Sequence, residues 1–320
     1  MLSRVAVSLY LLGRHLERAE HLARMLRIHN ELGLDRDIRD DQRFWSRYLE
    51  LAGWPLTDNL SREQAIELAI AGSAGPSVRR ELGDARSAAL AVRPSLSSDV
   101  FEQLNSLHWG LQDDSSWRTE LDGYLRRVEL GAHLLGGLLD DTMAHDEAWD
   151  FIRLGKFLER AAATTRLVLN KAVELADFDD DAVDWVAALR CCSSFEAYQQ
   201  RVRSPIVHDR VVGFLLFQVM SPRSAAFSAN QGLGSARRID AGREQSPPQR
   251  ALENLAALFR EADAAEVASA PEAFGERFAE LLLAVDSALR DTYFLPHQLA
   301  VSLPGDMVVG HPHQQQQGGS

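Results

Sequence analysis

Apolar residues near the start of the chain recur at alternating steps of three and four positions. Residues at this spacing share one face of an α-helix, because the helix turns once every ~3.6 residues. The pattern therefore predicts a first helix of about 30 residues with one continuous apolar face. The residues that form this face are Leu2, Val5, Leu9, Leu12, Leu16, Ala19, Ala23 and Leu26.

Helical periodicity continues along most of the chain, whereas the alternating pattern and turn dipeptides of β-hairpins are missing. Ser61 and Gln64 have the spacing of a capping box, which predicts that another helix begins there. The sequence thus predicts an all-α fold, a bundle of long helices with short connections. Further helices are predicted at residues 77–92, 98–112, 117–139, 145–175, 181–189, 195–202, 207–220, 248–261 and 271–293.

Two stretches break the helical pattern. Residues 231–249 contain three glycines and a Pro-Pro pair, and they predict a surface loop. The nearby basic cluster of Arg237, Arg238 and Arg243 is interpreted as a solvated part of that loop. Residues 304–320 end in a polar, Gln- and Gly-rich segment and predict a disordered tail, which leaves residues 1–303 as a single domain.

Composition excludes several classes of protein. The 320 residues are 46% hydrophobic and 25% charged, with a net charge of −12, so neither a basic nucleic-acid surface nor a disordered chain is indicated. No run of ~18 apolar residues predicts a membrane span. The first apolar run is short and charge returns at Arg14, so it is interpreted as a helix and not a signal peptide. The adjacent Cys191 and Cys192 suit a reducing compartment, and we expect a cytoplasmic protein.

One eight-residue pattern occurs twice, as LGRHLERA at residues 12–19 and as LGKFLERA at residues 154–161. The two copies are 142 positions apart and repeat a Glu-Arg pair, first as Glu17 and Arg18 and then as Glu159 and Arg160. They also repeat a glycine in mid-helix, which destabilises a helix by about 1 kcal/mol relative to alanine. We therefore expect two similar core helices that approach each other closely at their glycines.

Neighbouring residues of a helix do not face each other, so each glutamate should pair with the arginine of the other copy. We expect Glu17 to contact Arg160 and Glu159 to contact Arg18 around a pseudo-twofold axis. Two interpretations stay open: a buried lock that sets helix register, or a site for an anionic ligand or a partner. The second-line candidates for contacting a carboxylate are Arg14, Arg153 and Arg223.

Catalytic residues are not indicated by any motif. Four-helix metal centres use a Glu-x-x-His motif that is absent here, and Asp141 and His145 have the wrong spacing, so neither a metal nor another cofactor is expected. Ser224 has no base nearby in sequence, and no phosphate-binding loop occurs. Whether the chain is an enzyme stays undecided at this point, with a non-catalytic role favoured.

Four segments together resemble the bacterial alpha-E domain family in content and order, and the resemblance covers the chain from Met1 to about residue 295. Leu11 and Ala148 depart from the family pattern, which more often has tryptophan and glycine there, but neither touches the Glu-Arg pairs. The four segments are MLSRVAVSLYLLGRHLERAEHLAR, MAHDEAWDFIRLGKFLERA, VDWVAALRCCSSFEAYQ and FLLFQVMSPRSAAFS.

The resemblance implies an all-helical domain whose gene tends to lie beside that of a circularly permuted ATP-grasp amide ligase, often with a transglutaminase-like peptidase nearby. It therefore implies an accessory or binding subunit of a peptide synthesis or modification system, which would help to hold a peptide or amino-acid substrate. Two alternatives stay open: an enzyme that uses a buried Glu/Arg/Asp/His centre, and a structural oligomeric scaffold. No nucleic acid or membrane is expected as a partner.

Overall fold

The computed structural model describes residues 1–35, 41–55, 60–175, 182–243 and 245–294. These residues form fourteen α-helices and two short 3₁₀ turns without a β-strand, which confirms the predicted all-α fold. The helices are α1 Ser3–Asp35, α2 Gln42–Leu51, α3 Arg62–Ala71, α4 Val78–Ala91, α5 Ser98–Gln112, α6 Leu121–Thr142, α7 Glu147–Leu175, α8 Ala182–Cys191, α9 Phe195–Val202, α10 His208–Phe217, α11 Ala225–Ile239, α12 Pro247–Glu261, α13 Ala264–Ser269 and α14 Pro271–Tyr293.

The two repeat-bearing helices, α1 and α7, form the centre of the bundle and meet at their glycines. A Cβ atom added to Gly13 would lie 1.9 Å from the carbonyl oxygen of Ile152, and one added to Gly155 would lie 2.0 Å from that of Tyr10. Tyr10 and Ile152 are themselves 142 positions apart, so the two contacts are equivalent. The predicted close approach is confirmed, and it requires glycine in both helices because backbone stands where a side chain would begin.

Other helices cover α1 and α7 on their remaining sides. Helix α1 packs against α4 and α6, and α7 packs against α11. Helix α1 is therefore buried on more than its one predicted apolar face, with Leu22 and Met25 enclosed beside the glutamate-arginine segment. This arrangement places two pairs of charged side chains in the interior of the protein.

The prediction of a loop over residues 231–249 is wrong for its first half. Residues up to Ile239 belong to α11, and the next helix begins at Pro247. Gly232 is accommodated in the helix because it faces α7, where an added Cβ would lie 3.8 Å from Leu154. Helical packing thus outweighs the low helix propensity of glycine.

The basic cluster in this region is also not a free loop. Arg237 donates to Glu253 at 2.7 Å, and Arg238 donates to the buried carboxylate of Asp150 at 2.6 Å, while Arg243 lies in the connection after α11. Two of the three arginines therefore join α11 to its neighbours.

Several boundaries follow the sequence closely, and the capping box at Ser61 and Gln64 is present. The short helices α2 and α13 were not predicted. The predicted tail at residues 304–320 and the end of the predicted domain lie outside the described residues. None of the described helices has the length and apolar character that a membrane crossing needs.

Candidate functional site

The two Glu-Arg pairs cross between α1 and α7. Arg160 donates to Glu17 from Nε at 2.6 Å and from Nη2 at 2.7 Å. Arg18 donates to Glu159 from Nε at 2.6 Å and from Nη2 at 2.8 Å. Both carboxylates are buried, with 5% and 3% of their surface exposed. The predicted cross-pairing is confirmed, and each pair has the two-pronged geometry that makes arginine-carboxylate contacts strong.

The half of the network around Glu159 is closed by α4. Arg14 adds a hydrogen bond to Glu159 at 3.0 Å, and Glu81 of α4 lies 3.7 Å from Arg18. His15 in turn lies 2.7 Å from Glu81. Burial alone would raise the pKa of Glu159, but the guanidinium groups of Arg18 and Arg14 outweigh it and hold the pKa well below its usual value.

The half around Glu17 contains a second carboxylate and a different arginine. Arg223 donates to Glu17 at 3.0 Å and to both oxygens of Glu20, at 2.8 and 2.7 Å. Glu20 also contacts Arg24 and lies 2.9 Å from His133 of α6. Burial again opposes ionisation, but Arg160 and Arg223 lower the pKa of Glu17, and Arg24 and Arg223 lower that of Glu20. Both acids are therefore held as carboxylates.

The connection between α10 and α11 carries Arg223 into this half, and α7 fixes that connection. Arg160 Nη1 donates to the carbonyl of Pro222 at 3.2 Å, and Thr164 donates to the carbonyl of Arg223 at 3.1 Å. Ser224 caps α11 by accepting the backbone N–H of Phe227 at 3.1 Å. The serine thus has a structural role at the helix terminus, and its hydroxyl also donates to the carbonyl of Gln218.

A pocket of about 200 Å³ opens on the Glu17 side, and we call it the Lys156 pocket. The residues of its lining that carry the argument are Glu17, Glu20, His133, Lys156, Arg160 and Arg223. His133 is 52% exposed and marks the mouth.

Lys156 is the unusual member of this lining. Its ammonium group forms no hydrogen bond or ion pair with any described residue, whereas the carboxylates beside it are already held by arginines. Burial and the neighbouring Arg160 lower the pKa of Lys156. Gly136 of α6 lies beside the ammonium, where an added Cβ would be in ordinary contact with Nζ at 3.6 Å.

The charges around the pocket do not balance. Within the lining, the two carboxylates of Glu17 and Glu20 face three cations, which are Lys156, Arg160 and Arg223. The lining therefore has one positive charge in excess, in a protein whose net charge is −12. A buried excess of charge is costly unless a counter-charge occupies it, so this site is suited to an anion.

The remaining predicted residues lie elsewhere. Arg153 does not join the network; it stacks on Trp149 at 4.3 Å and on Phe157 at 4.8 Å and donates to Gln231 at 2.6 Å. Among the described residues, no three His, Cys, Asp or Glu side chains are placed to hold a metal ion. Burial raises the pKa of Cys191 to about 12, so its thiol stays protonated near neutral pH.

Sequence reasoning missed Glu20, Glu81, His133 and Lys156. Lys156 had a signal, because it stands in the second copy where Arg14 stands in the first. It is also one of two lysines in a chain with 34 basic residues, and the other, Lys171, pairs with Glu174 and Asp184. Glu81 and His133 belong to distant helices, and no local pattern connects them to the repeat.

Comparison with known proteins gives a family whose description names an ER motif. A family model called Alpha-E, described as a predicted alpha-helical domain with a conserved ER motif, matches residues 1–294. Uncharacterized proteins of Mycobacterium tuberculosis H37Rv, M. tuberculosis CDC 1551 and Mycobacterium bovis are each 25% identical to this chain over 235 residues. The match covers 69% of this chain and 26% of each relative, so it spans about a quarter of their length. No solved structure matches this chain.

Proposed function

The chain belongs to the Alpha-E family, and we propose that it is a binding subunit that holds the carboxylate group of an amino acid or peptide. The observation that carries this proposal is the unpaired ammonium of Lys156 in a pocket with excess positive charge. Arg160 and Arg223 line the same pocket and contribute further N–H donors. Arginine and lysine are the side chains best suited to bind carboxylates.

The Glu-Arg pairs have a different part in this function. The pair of Glu17 and Arg160 lines the pocket, and Glu17 fixes the orientations of Arg160 and Arg223 through charged hydrogen bonds. Two-pronged pairs of this kind set the register of α1 against α7, and they leave little freedom to the side chains that face the ligand. One network thus contains both the lock, which joins α1 to α7, and the ligand site, which lies on the Glu17 side.

The partner proposed for this subunit is an ATP-grasp amide ligase in the cytoplasm, and this part rests on the family resemblance. Such a ligase activates a carboxylate as an acyl phosphate before an amine attacks it. A subunit that holds a carboxylate near its surface would supply or position a substrate for that reaction. A transglutaminase-like peptidase is the second partner that the resemblance implies.

The binding step is tested by isothermal titration calorimetry with N-acetylglycine at pH 7, using wild-type protein, Lys156→Met and Lys171→Met. Wild type and Lys171→Met should bind, whereas Lys156→Met should lose at least tenfold in affinity. Lys171 is the matched control because its ammonium is already paired with Glu174. Equal affinity for all three proteins would refute the role of the pocket.

The partner is tested by purification from a native lysate at low salt, with mass spectrometry of the bound proteins. Recovery of an ATP-grasp ligase near a one-to-one ratio supports the subunit role. If the protein binds N-acetylglycine but purifies alone, the proposed binding function stands and the proposed partner is refuted.

A further inference from the structure

We infer that the Lys156 pocket selects carboxylates whose α-amine is acylated, as at the carboxyl end of a peptide, over free amino acids. This inference rests on the proposed function, because it specifies the ligand of the same site. It follows from which groups in the pocket are still able to form hydrogen bonds.

The carboxylates of the pocket are already paired with arginines. Glu17 accepts Arg160 Nε and Arg223 Nη1 on one oxygen and Arg160 Nη2 on the other. Glu20 accepts Arg24 and Arg223 on one oxygen, which also contacts His133, and Arg223 again on the other. Every carboxylate oxygen in the lining therefore has at least one charged donor.

The ammonium of Lys156, in contrast, is not paired. Lys156 keeps all three N–H groups for a ligand, since it bonds to no described residue. A ligand carboxylate placed against this ammonium gains hydrogen bonds and offsets the excess positive charge. The pocket thus offers an unpaired cation, whereas both of its carboxylates are already paired with arginines.

A free amino acid brings a second charge that this site does not accommodate. Its ammonium is two bonds from the carboxylate carbon, so it must enter the pocket with the carboxylate. There it would meet the positive charges of Lys156, Arg160 and Arg223, and the carboxylates of Glu17 and Glu20 that could attract it are already balanced by arginines. Acylation turns the ammonium into a neutral amide and removes this repulsion.

One further carboxylate acts on Lys156 from outside the pocket lining, that of Asp140. It accepts the indole N–H of Trp149 at 3.1 Å and lies 3.8 Å from Arg153. Its charge is therefore engaged on the neighbouring surface, and it is not part of the pocket lining.

The size of the pocket agrees with the carboxyl-terminal residue of a peptide. About 200 Å³ corresponds to roughly seven water volumes, which is enough for a carboxylate, its Cα and a small side chain. The acyl group, which stands for the rest of the peptide, would extend out of the pocket through the mouth beside the half-exposed His133.

The experiment compares N-acetylalanine, alanine and N-acetylalaninamide by isothermal titration calorimetry on the wild-type protein at pH 7. N-acetylalanine should bind at least tenfold more tightly than alanine, and N-acetylalaninamide should not bind, because it lacks the carboxylate. Alanine binding as tightly as N-acetylalanine would overturn the inference and leave the proposed function standing. Absence of binding for both carboxylates would overturn the proposed function and the inference together.

A pair of variants tests the reason for the preference. Ala132 lines the pocket, so Ala132→Asp adds a carboxylate that no arginine holds, and Ala132→Asn adds the same volume without the charge. Ala132→Asp should narrow the ratio between N-acetylalanine and alanine at least threefold, whereas Ala132→Asn should leave it unchanged. An equal ratio in both variants would contradict the electrostatic explanation.

Discussion

Arg14 and Lys156 hold the same position in the two copies of the repeat, but only Arg14 reaches a carboxylate of the facing helix. Arg14 donates to Glu159 at 3.0 Å, whereas Glu17, the equivalent acceptor for Lys156, is held by Arg160 and Arg223. The pseudo-twofold arrangement is therefore broken at this position. One half of the network is a closed set of ion pairs, and the other half has an unused cation beside a pocket.

The close approach of the helices predicts a large effect of Gly13→Ala. The new methyl group would lie 1.9 Å from the carbonyl oxygen of Ile152, and backbone cannot move aside as a flexible side chain can. We expect the free energy of unfolding to fall by about 1–3 kcal/mol or more, since this is the usual range for overpacking. Urea denaturation measures this change.

Gly137→Ala is the matched control, because Gly137 is also helical but has no atom within 4 Å of an added Cβ. Its replacement should stabilise the protein by up to about 1 kcal/mol through helix propensity. Similar losses in both variants would show that close packing at Gly13 is not the cause.

Removal of one buried arginine should destabilise the protein strongly. Arg160→Met leaves Glu17 with Arg223 alone, and breaking a buried ion pair typically costs about 3–5 kcal/mol. Arg126→Met is the control, because Arg126 forms an exposed pair with Asp122 that is worth less than about 1 kcal/mol. Chemical denaturation of both variants checks the difference. A loss below 1 kcal/mol for Arg160→Met would contradict a locking role for the pair.

Acid should destabilise the protein through the buried carboxylates. The pKa values of Glu17, Glu20, Glu81 and Glu159 are lower in the folded chain than the ordinary value of 4.5. Below that pH the unfolded chain binds more protons than the folded one, so the free energy of unfolding falls as pH falls. Urea titrations from pH 5 downward should show this loss, and Glu81→Gln should weaken the pH dependence.

Two histidines should lower the free energy of unfolding at a higher pH than the carboxylates do, as pH falls from 6.5 to about 4. Burial together with nearby Arg24 lowers the pKa of His21 to about 4, and burial together with nearby Lys171 lowers that of His29 to about 3. The unfolded chain therefore takes up protons first as pH falls through 6.5, which destabilises the fold by at most about 1.4 kcal/mol per pH unit for each histidine. Urea titrations of His29→Gln over this range should give a shallower slope than wild type, and an unchanged slope would exclude His29 as a contributor.

As pH rises, the affinity for an anion should begin to fall at a lower pH than it would if Lys156 had the pKa of an ordinary lysine. Burial and Arg160 lower the pKa of Lys156 from 10.5. As pH rises, the side chain therefore loses its positive charge before pH 10.5 is reached. Titration of N-acetylglycine between pH 7 and 10 should show affinity falling as pH rises. Lys156→Arg keeps its charge in this range, and its affinity should stay constant. A parallel decline in the variant would place the titrating group elsewhere.

Local sequence was a good guide to the elements that the repeat contains. Periodicity predicted α1 and α7, and the shared offset of Gly13 and Gly155 predicted where they meet. The pairing of Glu17 with Arg160 followed as well, because neighbouring residues of one helix do not face each other and a twofold axis brings the glutamate of each copy to the arginine of the other. Residues 231–239 were misjudged because Gly232 is accommodated through packing on α7, which local composition does not contain.

The sequence by itself determined the helical fold, the central helix pair and its crossed ion pairs, since all of these depend on spacing within single helices. Only the tertiary structure decided which half of the network is open. Arg223 reaches Glu17 from 206 positions away and takes the place of Lys156 as its second cation, so the ammonium of Lys156 lies unpaired in the pocket lining. Contacts between distant segments set these positions, and such contacts have no period that can be recognised along the chain.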